Sequence, residues 1–369
     1  MRNGSLLATG LLAGTVIGAG IFSLPYVFAR LGFVASLVFL AGFCVVYTLL
    51  HRMYADLLVS AAGRHQFAYL AERYLPKWLA PFAAWSAVLE LVFVLLVYLV
   101  LAPSFAELVV PGSAAVAFWV FWVLGSLFIF LKLDWLGVIE SLCVGIIIAI
   151  VLAVFVLGCL SSGPLPAREP FSLAAFFLPF GPLLFSLSGR PAISKVVEEH
   201  RRATHAGHPF SLNKVILLGT AIPAVVYLVF VFGVLRLSPA VTPDAVSGLS
   251  LLPPWVLAAF GILGFVSMWK SYLMIGTNAR DILRDDFRVS KGMSALVVLA
   301  TPLILVACGL DNFLVAVGVT GGIFLALEGM FIVTMWYRAF PEHRWRRPAP
   351  LLALIFIAAI IYEALNLAL

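Results

Sequence analysis

The first apolar segment contains residues that can leave backbone N–H and C=O groups without helical partners, and such groups can bind a ligand. The stretch GTVIGAGIFSLP, Gly14 to Pro25, places three glycines and a proline where a bilayer penalises unpaired N–H and C=O groups. Such backbone is tolerated at membrane depth only where it lines a cavity or is buried in protein. Close helix packing is the alternative, because Gly14 and Gly18 satisfy the small-xxx-small pattern. The stretch therefore indicates either a broken helix at a binding site or a tightly packed helix.

A second apolar segment carries the same kind of interruption. It reads FFLPFGPLLFSLSGRPAI, Phe176 to Ile193, and its interrupting residues are Gly181, Pro182, Ser186, Ser188, Gly189 and Pro191. A broken helix frees carbonyls at the break and offers the partial positive charge of a half-helix N-terminus. Two such breaks can bind a zwitterion, with amides for its carboxylate and carbonyls for its ammonium group. This pattern predicts a site at the two breaks rather than two lipid-facing helices.

Three ionisable residues within apolar segments are further candidates. Lys270 follows Trp255 by 15 residues, which places it ~22 Å along a helix and slightly past the bilayer midplane. Glu90 is expected near mid-bilayer and Glu328 in the inner half of its segment. An intramembrane charge costs at least ~2.5 kcal/mol on insertion scales and marks a functional candidate, such as a proton site. For Lys270 the alternative is a permanently charged lysine paired with a buried carboxylate.

The amino-acid composition indicates which class of protein carries these candidate residues. Hydrophobic residues make up 63% of the 369 residues and charged residues 11%, with a mean hydropathy of +1.12, which excludes a soluble globular protein. The net charge of +6 is spread over short connectors, so no nucleic acid is expected as a partner. With ~20 apolar residues taken as one crossing, the sequence contains eleven apolar runs: 5–29, 32–53, 79–103, 114–132, 136–160, 172–189, 213–235, 255–280, 292–309, 312–336 and 348–368. We therefore expect an all-α integral membrane protein of eleven transmembrane helices in a single domain, residues 1–369.

The Lys and Arg residues predict the orientation of these spans. With the N-terminus in the cytoplasm, 19 of the 23 fall inside and three outside, and Lys270 remains within a span. A span miscounted early in the chain would switch every later loop and destroy this asymmetry. The N-terminus is therefore expected in the cytoplasm and the C-terminus outside, with the protein in the cell membrane.

Interruptions in the first and sixth runs are what an inverted repeat of five plus five helices predicts. The first repeat would cover approximately residues 5–160 and the second approximately residues 172–336, with the run 348–368 as an additional helix. The two halves show no obvious sequence identity, so the repeat is inferred from the apolar runs and their breaks.

Three stretches together resemble a known family. GTVIGAGIFSLP is similar to the first-helix signature of the amino acid–polyamine–organocation superfamily, and LLFSLSGRPAI is similar to its sixth helix, especially in the aromatic and hydrophobic amino acid permease branch. KSYLMIGTNARDILRDDF, Lys270 to Phe287, is similar to the eighth helix of that branch. The resemblance implies a LeuT-type fold with discontinuous helices 1 and 6.

The resemblance also implies which residues bind substrate. These are Thr15, Val16, Gly18, Ala19, Gly20, Phe185, Ser186, Ser188 and Gly189. The amides of residues 18–20 match those that bind a substrate carboxylate, and the carbonyls of Thr15 and Val16 match those near its amine. Phe185 matches an aromatic lid, Ser186 and Ser188 supply carbonyls, and Gly189 gives the turn its room. Tyr98 on the third run is a candidate lining residue, although an aromatic there is more often simple packing.

Lys270 departs from the family pattern. Beside Ser271, it stands where sodium-coupled relatives have a hydroxyl that helps to hold a sodium ion against first-helix carbonyls, here those of Gly14 and Ile17. An ammonium group there would replace the ion. The resemblance therefore favours proton coupling or exchange over sodium coupling, with Glu90 and Glu328 as weaker candidates for a proton site.

The function expected from these observations is secondary active transport of a small, apolar or aromatic amino acid by alternating access. The alternatives are a polyamine or organic-cation antiporter and a membrane sensor that binds an amino acid without moving it. An enzyme is not expected, because no clustered nucleophile, base or metal set appears in the sequence. No cofactor or metal site is expected, the partners are the substrate, a proton and the bilayer, and the oligomeric state stays open.

Overall fold

The computed structural model describes residues 3–61, 67–129, 136–161, 172–238, 240–249, 252–343 and 346–368. The regular elements in these residues are helices, as expected for an all-α membrane protein. They are α1 Asn3–Val16, α2 Leu24–Leu31, α3 Phe33–Ser60, α4 Phe67–Tyr74, α5 Ala80–Glu107, α6 Ala114–Ile129, α7 Leu136–Leu160, α8 Leu173–Phe177, α9 Phe180–Leu187, α10 Arg190–His205, α11 Leu212–Leu237, α12 Pro254–Asp285, α13 Lys291–Ala307, α14 Phe313–Val319, α15 Ala326–Ala339 and α16 Ala349–Ala368.

Many of these helices are long and apolar enough to cross a membrane. Among the described residues, seven helical segments meet that condition, and α1 with α2 adds one bent pair. Shorter apolar helices occupy residues 114–127, 144–160 and 291–307. The protein is therefore a multi-pass membrane protein.

The first apolar run is broken, as the glycines indicated. α1 ends at Val16, a 3-10 turn covers Ala19–Ser23, and the two halves are bent by 48°. Between them Gly18 has the extended backbone of φ −145° and ψ −155°. Pro25 lies in the first turn of α2, where its missing N–H costs no helical hydrogen bond. The chain thus leaves and re-enters the helix within a few residues.

The sixth run is also broken, but it continues further than expected. The apolar run expected at 172–189 is followed directly by α10, which runs to His205. Ser188 and Gly189 form the break, and Pro191 lies in the first turn of α10. Arg190 is one of the 19 Lys and Arg residues expected on the cytoplasmic side, but it is buried at the start of α10, so the count becomes 18 against three.

The broken helices lie in the centre of the bundle. α1 packs against α10 and α11, and the 3-10 turn packs against α9. In α5, 78% of the most apolar window is buried, against 22% in α16, so α5 is central and α16 peripheral. The tenth run contains a π-helical segment, Thr320–Leu325, which packs against α9. Two interrupted helices therefore meet a third irregular one inside the fold.

Candidate functional site

A cavity of about 390 Å³ lies where the two breaks meet α5 and α12. The predicted residues that line it are Gly14, Thr15, Val16, Ile17, Gly18, Ala19, Gly20, Glu90, Phe185, Ser188, Lys270 and Ser271. Tyr98 of α5, the candidate lining residue on the third run, also lines it. Other lining residues come from α5, α10 and α12: Leu91, Val94, Pro191, Ala192, Lys195, Met274, Ile275, Thr277, Asn278 and Asp281. The cavity therefore combines freed backbone, apolar side chains and a few charges.

The cavity is open at one end and closed at the other. Pro191, Lys195 and Asn278 are exposed on α10 and α12, beyond the two breaks. At the opposite end Tyr98 and Phe185 are 5% and 8% exposed. Access to the cavity is therefore between α10 and the C-terminal half of α12.

Three of the predicted site residues lie outside the cavity wall: Ser186, Gly189 and Glu328. A Cβ on Gly20 would lie 2.5 Å from Ser186 Cα, so the chain at Ser186 closes directly over the first break. A Cβ on Gly189 would lie 2.6 Å from Val16 Cγ2, so Gly189 gives the two breaks room to approach each other. Ser186 and Gly189 therefore hold the breaks together rather than face the cavity.

Tyr227 of α11 joins the two breaks and was missed in the sequence. Its hydroxyl lies 2.6 Å from the Val16 carbonyl oxygen and 2.7 Å from the Ser186 carbonyl oxygen, and can donate to either. The side chain is fully buried. Two carbonyls that we expected near a substrate are thus hydrogen-bonded within the protein. An aromatic residue in an apolar run gave no signal for this, because packing alone explains most such residues.

Tyr98 of α5 brings a second hydroxyl to the first break. The hydroxyl lies near Ser271 of α12 and the backbone of Ala19. A Cβ on Gly18 would lie 3.2 Å from the same oxygen, so a larger residue at that position would crowd Tyr98. The closed end of the cavity is therefore formed by backbone from the first break and a tyrosine.

Lys270 lies in the wall of the cavity and is 6% exposed. Gly14 and Ile17 of the first broken helix and Ser271 line the same cavity. Asp281 lines it 11 residues further along α12, which is ~16 Å along the axis. The lysine is therefore deep in the cavity and the aspartate nearer its open end.

Arg190 forms a buried cluster with two glutamates that the sequence gave as weak candidates. Its Nη2 lies 3.2 Å from Glu90 Oε2, and its Nε donates to Glu328 Oε2. The three side chains are 9%, 5% and 4% exposed. The guanidinium carbon also lies 4.9 Å from the centre of the Phe67 ring. The sequence did not predict this cluster, because Arg190 lies just beyond the end of the sixth apolar run, 172–189.

Solved structures of two transporters are similar to this one. The Eremococcus coleocola manganese transporter, solved with an aromatic bis-isothiourea substituted compound, has a TM-score of 0.65 at 14% identity, covering 97% of this chain and 85% of that chain. Mhp1, a nucleobase-cation-symport-1 family transporter in a closed conformation with bromovinylhydantoin bound, has a TM-score of 0.62 at 11% identity, covering 97% and 90%. At these identities the likeness shows the fold alone, which is that of LeuT-fold transporters.

Sequence comparison identifies the family. No curated protein matches the chain. The family described as transmembrane amino acid transporter protein matches residues 2–235, which include both breaks. Because this match covers well over half of the 369 residues, the chain belongs to the transmembrane amino acid transporter protein family, whose members are transporters and not enzymes.

Proposed function

We propose that the protein is a secondary active transporter, or permease, for a small apolar or aromatic amino acid, working by alternating access around its two broken helices. The observation that carries this proposal is that both breaks face one cavity. In this proposal the backbone amides at residues 18–20 bind the carboxylate and the Thr15 and Ser188 carbonyls bind the ammonium group, since all of these residues line the cavity. A zwitterion fits this combination better than a ligand with one kind of charge.

The apolar part of the cavity wall favours an apolar substrate side chain. Leu91 and Val94 of α5 and Met274 and Ile275 of α12 line the cavity, and Phe185 adds an aromatic ring. The volume of about 390 Å³ lies within the range of small-molecule sites. Apolar walls with a few polar groups are typical of such sites, in which the polar groups fix orientation.

The charges that line the cavity argue against a polyamine or organic-cation antiporter. Lys195 and Lys270 offset Glu90 and Asp281, so the formal charge of the lining side chains is balanced. A polycation would require an excess of carboxylates. The antiporter therefore ranks below the amino acid permease.

Coupling to protons, or exchange without a coupling ion, fits the site better than coupling to sodium. In this proposal the ammonium group of Lys270 stands where a sodium ion would bind carbonyls of Gly14 and Ile17 and the hydroxyl of Ser271. A fixed cation there removes the reason to bind a metal ion. Lys270 would then link the first broken helix to α12.

The proposed topology has eleven spans in an inverted repeat, with the N-terminus in the cytoplasm and the C-terminus outside. The seven long apolar segments, the bent pair and the three shorter apolar helices support this count. Breaks at residues 17–18 and 188–189 support the repeat. In this orientation the open end of the cavity faces the cytoplasm, so the conformation is inward-facing.

Uptake into proteoliposomes tests the proposal. Uptake of a labelled amino acid mixture by the wild-type protein is measured under three conditions: with an imposed proton gradient, with an imposed sodium gradient, and with neither. We expect uptake with the proton gradient, or exchange alone, and little response to sodium. Uptake that requires sodium would contradict the proposed coupling, and binding without any uptake would favour the sensor.

Lys270→Ala tests the role of the lysine in the same assay. We expect coupled uptake to fall to background in this variant. Lys291→Ala is the matched control, because Lys291 is an exposed lysine at the start of α13 outside the cavity. Equal transport in Lys270→Ala, Lys291→Ala and wild type would reduce Lys270 to a structural role.

A further inference from the structure

The cluster of Glu90, Arg190 and Glu328 contains two carboxylates and one guanidinium. All three side chains are less than one-tenth exposed, and they come from α5, α10 and α15. If both glutamates were ionised, the cluster would carry one uncompensated negative charge inside the bundle. A buried charge without a partner is strongly unfavourable. The charge count therefore requires one more positive charge at this position.

The shared contact with Arg190 indicates where that positive charge is. Both carboxyl groups bond the same guanidinium, Glu90 through Oε2 at 3.2 Å and Glu328 through Oε2 to Nε. Two carboxyl groups held this close in a buried site repel each other when both are ionised, which favours one shared proton. The pair is therefore expected to hold a single proton.

We propose that Glu90 binds and releases the coupling proton of this transporter, with Glu328 as the constant counterion of Arg190. This inference rests on the proposed function. Glu90 lines the substrate cavity, whereas Glu328 lies behind it and accepts the hydrogen bond of Arg190 Nε. Water in the cavity can thus deliver a proton to Glu90 and take it back. Glu328 has no such access through the cavity wall.

Other polar and charged groups near the cluster do not replace this proton. Tyr47 and Tyr54 of α3 face it, but their hydroxyls are uncharged at physiological pH. Tyr47 donates to the Leu184 carbonyl, at 2.5 Å. The ring of the neighbouring His51 lies 5.4 Å from that of Tyr47, and His51 Nδ1 is bonded to the Thr220 hydroxyl.

The charged groups of the cavity wall complete the surroundings. Lys195 of α10 and Lys270 and Asp281 of α12 line the cavity together with Glu90. Glu90 is bonded to Arg190, which it shares with Glu328. We therefore assign the exchangeable proton to the glutamate pair.

The position of Arg190 links this proton to the second break. Arg190 is the first residue of α10, directly after Gly189. When Glu90 is ionised, Arg190 is held by carboxylates of both α5 and α15. When Glu90 is protonated, its attraction to the guanidinium weakens and Arg190 pairs with Glu328 alone. Protonation thus changes what anchors the half-helix that borders the open end of the cavity.

Glu90→Gln tests the proposal, because the amide has nearly the shape of a protonated carboxyl. In proteoliposomes, transport of one proton per substrate supports about tenfold accumulation per pH unit of gradient. We expect wild type to approach that ratio, whereas Glu90→Gln exchanges labelled for unlabelled substrate without accumulating it. A pH-sensitive dye inside the liposomes should report substrate-dependent proton entry for wild type and not for Glu90→Gln. Glu363→Gln, a buried glutamate of α16 outside the cavity, is the control and should behave as wild type.

A measurement that does not involve transport tests the proton site at Glu90 independently of the permease function. Infrared difference spectra of the purified protein between acid and alkaline pH report buried carboxyl groups that gain a proton. Glu363 is a second buried carboxyl group and contributes a component of its own to these spectra, which Glu363→Gln identifies by its loss. We expect a further component that is present in wild type and Glu363→Gln and lost in Glu90→Gln. If Glu90→Gln loses no component, the proton site is elsewhere, whether or not the protein transports.

The two assays together give distinct outcomes. Loss of the infrared band in Glu90→Gln, with no transport by wild type, would support the proton site and contradict the permease. Substrate-dependent proton entry in Glu90→Gln would overturn the proposal while leaving the permease intact. Loss of proton entry in Lys270→Ala, with Glu90→Gln unaffected, would assign the proton to the lysine and overturn the proposal as well.

Discussion

Removing one oxygen atom from Tyr227 should measure how strongly the two broken helices are held together. The Tyr227 hydroxyl lies 2.6 Å and 2.7 Å from the carbonyls of Val16 and Ser186, at the ends of the two breaks. Tyr227→Phe leaves both carbonyls buried without this donor and changes little else. We therefore expect a loss of stability with only a small change in packing.

The size of the effect follows from the number of protons in the bridge. A phenol donates one proton, so only one of the two hydrogen bonds is fully made at any moment. A buried acceptor that loses its partner costs about 1–3 kcal/mol. That free energy corresponds to about a 5- to 150-fold change in an equilibrium constant. We expect Tyr227→Phe to lie in this range and not at twice its value.

Tyr272→Phe is the matched control for this measurement. Tyr272 of α12 is also fully buried, but its hydroxyl has no hydrogen-bond partner among the described residues. Deleting a buried hydroxyl that has no partner should be neutral or stabilising, because it removes a desolvation cost. Both variants remove a hydroxyl oxygen from a fully buried tyrosine. We expect Tyr227→Phe to lower the stability of the protein and Tyr272→Phe to leave it unchanged or raise it.

Unfolding in detergent micelles provides the assay, with wild type, Tyr227→Phe and Tyr272→Phe compared in the same preparation. The apparent unfolding midpoint should fall in Tyr227→Phe and stay level or rise in Tyr272→Phe. Exchange of labelled amino acid should fall in Tyr227→Phe, since the geometry of both breaks depends on the bridge. Equal midpoints for the two variants would refute the role of the hydroxyl as a bridge between the breaks.

Two further predictions concern the contact between the breaks and the access to the cavity. Gly20→Ala should destabilise the protein by about 1–3 kcal/mol through overpacking, because its Cβ would lie 2.5 Å from Ser186 Cα. Gly10→Ala on the same broken span is the control, because its Cβ would meet nothing within 4 Å and the change should be neutral or slightly stabilising. Equal unfolding midpoints for the two variants would contradict the close contact between Gly20 and Ser186. Asn278→Cys at the open end of the cavity should react with a membrane-impermeant thiol reagent from the cytoplasmic side, and bound substrate should slow the reaction. Val110→Cys, in the exposed turn after α5, should react from the outside. Both variants are made in a chain whose exposed cysteines, Cys159 and Cys308, are replaced by serine, and labelling of both from one side would contradict the topology.

The sequence determined the class of protein and the location of both breaks. Long apolar runs with few charges are properties of consecutive residues, and they identify a multi-pass membrane protein without tertiary information. Glycine and proline act in the same local way, because their backbone preferences permit unwinding wherever they occur. Gly18 and Gly189 were therefore found from the sequence, and both lie at the observed breaks.

Tertiary structure decided how far the sixth helix continues. Pro191 can end a helix or begin one, and the sequence alone does not distinguish these two cases. The chain continues as α10 because that helix has neighbours on which to bury its apolar residues, among them Ile193 and Val196. The same burial carries Arg190 into the bundle.

Only tertiary structure could bring together the groups that join the two breaks. Arg190 meets partners 100 and 138 residues away, and Tyr227 meets a carbonyl 211 residues away. These pairs depend on how whole helices pack, so no local pattern in the sequence predicts them. The sequence identified Glu90 and Glu328 as charges that need a partner, because isolated charges are unfavourable in a membrane. Which cation they share depends on the packing of α5, α10 and α15, and that is why the partner became visible only in the folded chain.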